Sequence, residues 1–311
     1  MATPLILDCD PGHDDALAIL LAVADPAVEL LAVTTVAGNQ TVDKCTVNAR
    51  RVLSLAGASD IPVARGADRP LVRRLRIAAD VHGRTGLDGP QFTDEPSVPE
   101  SASSAHELLV DVLRTRQATV VATGALTNIA RLLTEEPDLA ANITEIVWMG
   151  GSTERGNIAP LAEANAYVDP EAADVVVRSG VPFTMCGLNV THQALVTDDV
   201  LARLERIGTP LARICGEWMT FFASTYRELF GFAAPPLHDP VAVARVIDPA
   251  IVRCVEANLV IETAGEWTAG ATVVDLDGYT GRPTNARIAV GLDQDAFWDR
   301  LLTAIAKLPV C

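Results

Sequence analysis

Apolar positions in this chain fall into two kinds of run. Short, nearly uninterrupted ones recur: LIL before Asp8, VELLAVTTV from Val28 to Val36, ATVVA from Ala118 to Ala122, ITEIVWM from Ile143 to Met149, and the segment from Val181 to Cys186. Runs of strand length without a polar alternate are what strands covered on both faces of a parallel sheet show. Between them lie longer helical segments. These are the Ala/Leu-rich stretch opened by Asp14 and Asp15, then Thr41 to Leu55, Ala105 to Thr115, a stretch begun by Asp169-Pro170-Glu171, helix-rich Leu201 to Phe230, an apolar helix opened by Asp239-Pro240, and a last helix near Asp293 to Lys307. Strand-like runs follow Ile251. This alternation predicts an α/β fold: one large domain over residues 1–311, with a mostly parallel, Rossmann-like central sheet flanked by helices. Residues Ile61 to Pro99 break the rhythm, being rich in Gly, Pro and charge, and read as a long functional or mobile loop.

Composition narrows the partners. A net charge of −16, with lysine only at 44 and 307, argues against nucleic acid or an anionic membrane surface as partner. No signal-like segment and no apolar run of bilayer length is seen, so a cytoplasmic protein is expected. The six cysteines, Cys9, Cys45, Cys186, Cys215, Cys254 and Cys311, are spread singly and are expected as free thiols. Cys9 alternates with Asp8 and Asp10 and should point away from them.

The densest chemistry is LILDCDPGHDDALAIL, Leu5 to Leu20, where Asp8, Asp10, Asp14 and Asp15 crowd a strand-to-helix turn. Such a cluster repels itself unless a cation or shared protons compensate, and carboxylate oxygens suit a hard divalent cation. An aspartate at a helix start is also an ordinary cap or dipole partner, which accounts for Asp14 or Asp15 alone but not for Asp8 and Asp10. Further along, Asn39 follows the second strand at a Gly-Asn tip, where a turn or cap residue is the plain reading. His82 opens HGRTGLDG, either to touch substrate or as a solvated loop histidine. The turn TGALTN at Thr123 to Asn128 lets Thr127 or Asn128 satisfy exposed backbone donors. A loop through Asn157, Glu163 and Asn165 carries amides and a carboxylate suited to sugar hydroxyls. The aromatics Trp218, Phe221, Phe222, Tyr226 and Phe230 read mainly as core or subunit contact, and Asp239 before Pro240 reads as a cap.

These motifs together resemble the nucleoside hydrolases, the inosine-uridine preferring nucleoside N-ribohydrolase family: D-x-D-P-G-x-D-D-A at the start, the His-Gly-x-x-Gly-Leu segment, T-G-x-L-T-N, and GNIAPLAEANAYVDPEAA, in the family's order. The resemblance implies hydrolysis of the N-glycosidic bond of ribonucleosides to ribose and free base. It implies a Ca²⁺ ion held by Asp10, Asp15, the carbonyl of Thr123 and Asp239, with Asp8 structural. Asp14, Asn39, Asn157, Glu163 and Asn165 would bind ribose, Met149 would line the sugar site, and His82 and Tyr226 would lie near the substrate. Asp10 is expected as general base. His238 would face the leaving base, as its proton donor or as a stacking partner, and its presence in place of Trp points to the inosine- and uridine-accepting branch. A homodimer or homotetramer is implied. One departure is visible: Ala164 precedes Asn165 where many members carry Phe, which alters packing around the sugar.

The chemistry accounts for these residue types. Cleavage develops an oxocarbenium-like sugar, attacked by water on one face while the base leaves on the other. Two other classes share parts of the pattern. A phosphatase of the haloacid dehalogenase type also begins strand-D-x-D, but needs Asp8 as nucleophile and leaves Asp14-Asp15 and His238-Asp239 without a task. A non-catalytic nucleoside- or ribose-binding protein would keep the Asn/Glu loop without needing Asp10 as a base.

Overall fold

The structure, a computed structural model, describes residues 1–308, so Cys311 and the last two residues of the expected 1–311 domain before it lie outside the described residues. Its first half alternates strand and helix: β1 (Thr3–Cys9), α1 (His13–Ala24), β2 (Val28–Thr35), α2 (Val42–Leu55), β3 (Val63–Arg65), α3 (Ala79–His82), α4 (Ala105–Thr115), β4 (Ala118–Ala122), α5 (Thr127–Glu135) and β5 (Ile143–Met149). A short 3-10 turn, Pro137–Asn142, leads into β5. Then come α6 (Ala164–Val168), α7 (Pro170–Val177), β6 (Phe183–Cys186), α8 (Leu188–Thr191), α9 (Asp198–Ile207), α10 (Pro210–Phe230) and α11 (Asp239–Ile247). The chain closes with β7 (Val252–Ile261), β8 (Thr272–Asp275), β9 (Ala286–Leu292) and α12 (Gln294–Lys307).

All nine strands join one sheet, in the order β3-β2-β1-β4-β5-β6-β9-β7-β8. From β3 to β9 neighbours run parallel, and β7 and β8 close that edge antiparallel. This is the single α/β domain with a mostly parallel sheet that the sequence predicts. Successive strand residues feed opposite layers: Leu5 and Leu7 pack with α1, α11 and α12, while Ile6 packs with α4, α5 and α7. That two-sided burial is why the strand runs lack polar alternation.

One expectation on segmentation is corrected and another made finer. The Ile61 to Pro99 loop contains a parallel edge strand, β3, and one turn of helix, α3, each too short to give a period. Leu201 to Phe230 is two helices: Gly208 takes the left-handed conformation (φ 76°) that ends α9, Thr209 caps α10 by accepting the Ala212 N–H, and Pro210 takes its first position.

The order places the active end. Strands succeed one another outward from β1 toward β3 and, on the other side, from β4 toward β6, so β1 and β4 are neighbours whose connections leave in opposite directions. The crevice past their carboxyl ends is where open α/β sheets bind ligands. The β1–α1 turn, the Gly38-Asn39 tip after β2, Thr123 after β4 and Met149 at the end of β5 all sit there.

Candidate active site

At that crevice Asp10, Asp14, Asp15 and Asp239 are buried. One oxygen each from Asp14, Asp15 and Asp239 lies within 4.8 Å of the others. Asp14 and Asp15 come from the first turn of α1, and Asp239 is the first residue of α11, so two helix starts point carboxylates at one spot. Helix N-termini favour negative charge, which lessens the cost of the cluster without removing it.

Asp10 is held by its neighbours. Its Oδ2 accepts the Asn39 N–H at 2.6 Å, while Oδ1 is buried without a hydrogen-bond partner. Backbone crowds it: a Cβ at Gly38 would overlap Oδ2, and one at Gly124 would stand 2.8 Å from Oδ1. Asp15 accepts from Gly12 N (2.9 Å), Asn39 Nδ2 (3.0 Å) and Thr123 Oγ1 (2.8 Å). Asp14 Oδ1, like Asp10 Oδ1, is buried and without a partner.

Electrostatics shows the strain in this set. Burial, then the Asp15 charge, pushes Asp10 well above the ordinary carboxylate range; burial and the same neighbour push Asp14 up to about 7. Asp239 is raised by burial, then by Asp14 and Asp15. Among the described residues no lysine or arginine forms an ion pair with any of the four. Orphaned buried oxygens, mutual repulsion and an all-oxygen donor set fit a divalent cation held by this cluster.

Asp8 lies apart in role. Its Oδ1 accepts Thr34 Oγ1 (2.6 Å) and Asn128 Nδ2 (2.7 Å), and the side chain is fully buried at the end of β1. Asp8 does not border the cavity over the other carboxylates, which argues against it as a dehalogenase-type nucleophile. Of the two residues expected to satisfy backbone donors after β4, Asn128 does so, though for a segment far along the chain rather than for its own helix. Asn128 gives its amide to Asp8 and Thr35 O and takes the Ala67 N–H, while Thr127 donates to Asp169 Oδ2, so neither caps α5.

Over the carboxylates opens a cavity of about 200 Å³. Asp14, Asn39, Thr123, Met149, Asn157, Glu163, Asn165 and Asp239 border it on the sugar-like side, His82, Tyr226 and His238 on the aromatic side. Asp10 and Asp15 lie beneath, bonded to Asn39. A larger depression of about 670 Å³, beside Arg51 and Phe92, contains none of these residues.

Hydrogen bonds fix what each amide offers. Asn165 gives both its N–H bonds to backbone, to Thr123 O at 2.7 Å and Met149 O at 3.0 Å, and so presents its carbonyl oxygen as acceptor. Asn157 Oδ1 accepts the Ala164 N–H (2.9 Å), leaving its amide N–H₂ as donor. Glu163 caps α6, accepting from Gly151, Asn165 and Ala166 N–H groups, with burial pushing it up to about 7. A donor and acceptors converging on one cavity are what a polyhydroxylated ligand requires.

His238 Nδ1 lies 2.8 Å from Thr191 Oγ1 and Nε2 lies 2.8 Å from the Tyr226 hydroxyl. Burial lowers His238 to about 3 and raises Tyr226, so both are neutral at physiological pH. His82 is buried rather than solvated, its Nδ1 3.2 Å from His13 Nδ1 and 3.3 Å from the His13 N–H. His13 itself is 2.8 Å from Asp88 O and stacks on Phe221 and Phe222. Sequence reasoning missed His13, Thr191, Asn128 as the Asp8 clamp, and Arg76 and Asp80 at the cavity edge. His13 lay in plain view inside the signature, but only the fold brings it to His82, 69 residues away.

The chain as a whole is similar to known proteins. The family model described as inosine-uridine preferring nucleoside hydrolase matches residues 5–299. A pyrimidine-specific ribonucleoside hydrolase RihA of Shewanella woodyi is 50% identical over 308 residues, covering 98% of both chains; one from Photobacterium profundum is 46% identical, over 99% of this chain and all of that one. A solved structure, the purine-preferring ribonucleoside hydrolase from Gardnerella vaginalis, superposes with a TM-score of 0.91 at 32% identity, over 98% of this chain and 99% of that one. The chain therefore belongs to the inosine-uridine preferring nucleoside hydrolase family, N-ribohydrolases that cleave ribonucleosides between sugar and base.

Proposed function

We propose that this chain is a Ca²⁺-dependent ribonucleoside hydrolase with preference for pyrimidine ribonucleosides, working as a homodimer or homotetramer. The observation that carries the reading is the buried, uncompensated carboxylate cluster facing a cavity with sugar-type partners on one side and the His238–Tyr226 pair on the other. The relatives near 50% identity are pyrimidine-specific hydrolases, which favours pyrimidines over the broader inosine-uridine preference, whereas the solved relative at 32% is purine-preferring.

Asp10, Asp15, the Thr123 carbonyl and Asp239 would hold the cation, with Asp14 beside them. When bound, Ca²⁺ supplies a fixed positive charge and Lewis-acid polarisation of the oxygens it touches. The protein does the rest. Asp14, Asn39, Asn157, Glu163 and Asn165 orient the ribose, so that reacting groups meet without a search. Asp10, pinned by Asn39 N and free at Oδ1, takes a proton from the attacking water. On the opposite side the neutral Tyr226–His238 pair orients the departing base; the water adds HO to the anomeric carbon and gives its proton to Asp10, the N-glycosidic bond breaks, and the base takes up a proton from solvent as it leaves. A missing 2′-hydroxyl leaves buried partners unpaired, which disfavours deoxynucleosides.

The test is ribose release from uridine, cytidine, inosine, adenosine and guanosine. Higher kcat/KM on uridine and cytidine supports the reading; preference for purines overturns the specificity, and no turnover of any supports a binding protein.

A further inference from the structure

One region away from the carboxylate cluster carries the opposite charge. Where β7 and β9 pair beside the last turn of α11, an open depression of about 540 Å³ is bordered by Arg245, Arg253, Cys254, Glu256 and Arg287 among others. Three guanidiniums thus meet one carboxylate there, in a chain whose net charge is −16. Arg245 lies in the last turn of α11 and Asp239 is that helix's first residue, so the depression sits at the end of α11 away from the active site.

Strand register brings the arginines together. β7 and β9 run antiparallel, with Arg253 opposite Gly291, Glu256 opposite Arg287 and a register shift after Arg253. Arg287, Ala289 and Gly291 alternate onto one face, and Ala289 packs in the same core layer as α11. Cross-strand partners share a face, so Arg253 and Arg287 stand on the side that α11 covers. Gly291 leaves room for this: a Cβ there would lie 3.1 Å from Arg253 Nη2.

These side chains are short of acceptors. Arg287 Nη2 lies 3.1 Å from Glu145 Oε1, whereas Arg245 and Arg253 form no ion pair among the described residues. Arg245 Nε is buried without a hydrogen-bond partner. Cys254, beside Arg245, is raised by burial despite that neighbour, so it is a neutral thiol and a weak acceptor. A cation at a helix C-terminus needs no ligand, but that explains neither the orphaned Nε–H nor Arg253. An unpaired buried donor is costly, and the guanidinium fork matches the oxygens of a phosphate.

We propose that Arg245, Arg253 and Arg287 form a binding site for a phosphate group, carried by free phosphate or by a nucleotide, separate from the nucleoside cavity. The site stands independently of the hydrolase reading.

The experiment is calorimetric titration of the full chain with inorganic phosphate and, separately, with uridine 5′-monophosphate, each against sodium chloride of equal ionic strength. Wild type is compared with Arg253→Ala and Arg245→Gln. Saturable phosphate binding is expected in the wild type, weakened about tenfold or more in each variant, the effect of removing a charge-assisted hydrogen bond. Tighter binding of uridine 5′-monophosphate, weakened by the same variants, makes a nucleotide the ligand; phosphate binding without that gain makes it free phosphate. No saturable binding above the chloride control, or an unchanged phosphate affinity in either variant, overturns the proposal. Arg253 is exposed, so Arg253→Ala should keep the wild-type thermal midpoint in phosphate-free buffer, and it decides alone if Arg245→Gln fails to fold.

Discussion

Asp10 shows how much of this site is set by atoms that are absent. Glycine at 38 and 124 lets two backbone segments close on its carboxylate, one under each oxygen. Gly38→Ala should displace Asp10 and lower kcat/KM by about 10², the cost of a misplacement near 1 Å. Unchanged circular dichroism and thermal midpoint would show that the fold survives, and undiminished activity would contradict Asp10 as the base. Asn128 is the stability counterpart. Asn128→Ala strips a partner from fully buried Asp8, whose other oxygen already lacks one, and should cost about 1–3 kcal/mol in denaturant unfolding. His238→Ala, assayed on uridine and on p-nitrophenyl riboside, separates chemistry from positioning. Loss confined to uridine is expected if His238 assists a poor leaving group, and equal loss on both contradicts that role.

At the scale of elements, the long parallel strands were legible because burial on both faces leaves an unbroken apolar signature, as in Ala118–Ala122. β3 was not legible: three residues paired to β2 at the sheet edge carry no period of their own. The boundary inside helix-rich Leu201 to Phe230 is set by Gly208-Thr209-Pro210, a left-handed glycine, a cap and a first-turn proline. Within the site, residues in contiguous motifs were readable, whereas Thr191 and His13 matter only through contacts made across the fold. One element-level link tests by pH. Arg300 on α12 donates to Asp25 at the end of α1, Nη2 to Oδ1 at 2.8 Å. Burial pushes Asp25 up, but Arg300 and the Ala27 N–H outweigh it and leave it below the ordinary aspartate value. A depressed carboxylate stabilises above its unfolded pKa, near ~3.9, and loses that as pH falls through the folded value. Asp25→Asn should therefore lower the thermal midpoint at pH 6, and the gap from wild type should shrink below about pH 4. A gap that stays constant with pH contradicts the charged pair.

For the whole molecule, the sheet order brings β1 and β4 side by side, and the site follows from what their carboxyl ends carry. Asp239 and His238 arrive from α11, more than 220 residues after Asp15 by count. Among the described residues no helix is long and apolar enough to cross a membrane. The quaternary expectation is checked by light scattering, which should give two or four times 32.9 kDa; a monomer would contradict it.

The central claim is that the buried carboxylates act by holding calcium. The most direct measurement is ribose release from uridine after exhaustive chelation and dialysis, with and without Ca²⁺ added back, in the wild type and in Asp239→Asn. The account predicts that chelation abolishes turnover, that Ca²⁺ restores it in the wild type, and that Asp239→Asn needs far more Ca²⁺ or stays inactive. Full activity in protein shown by elemental analysis to be free of divalent metal would contradict it.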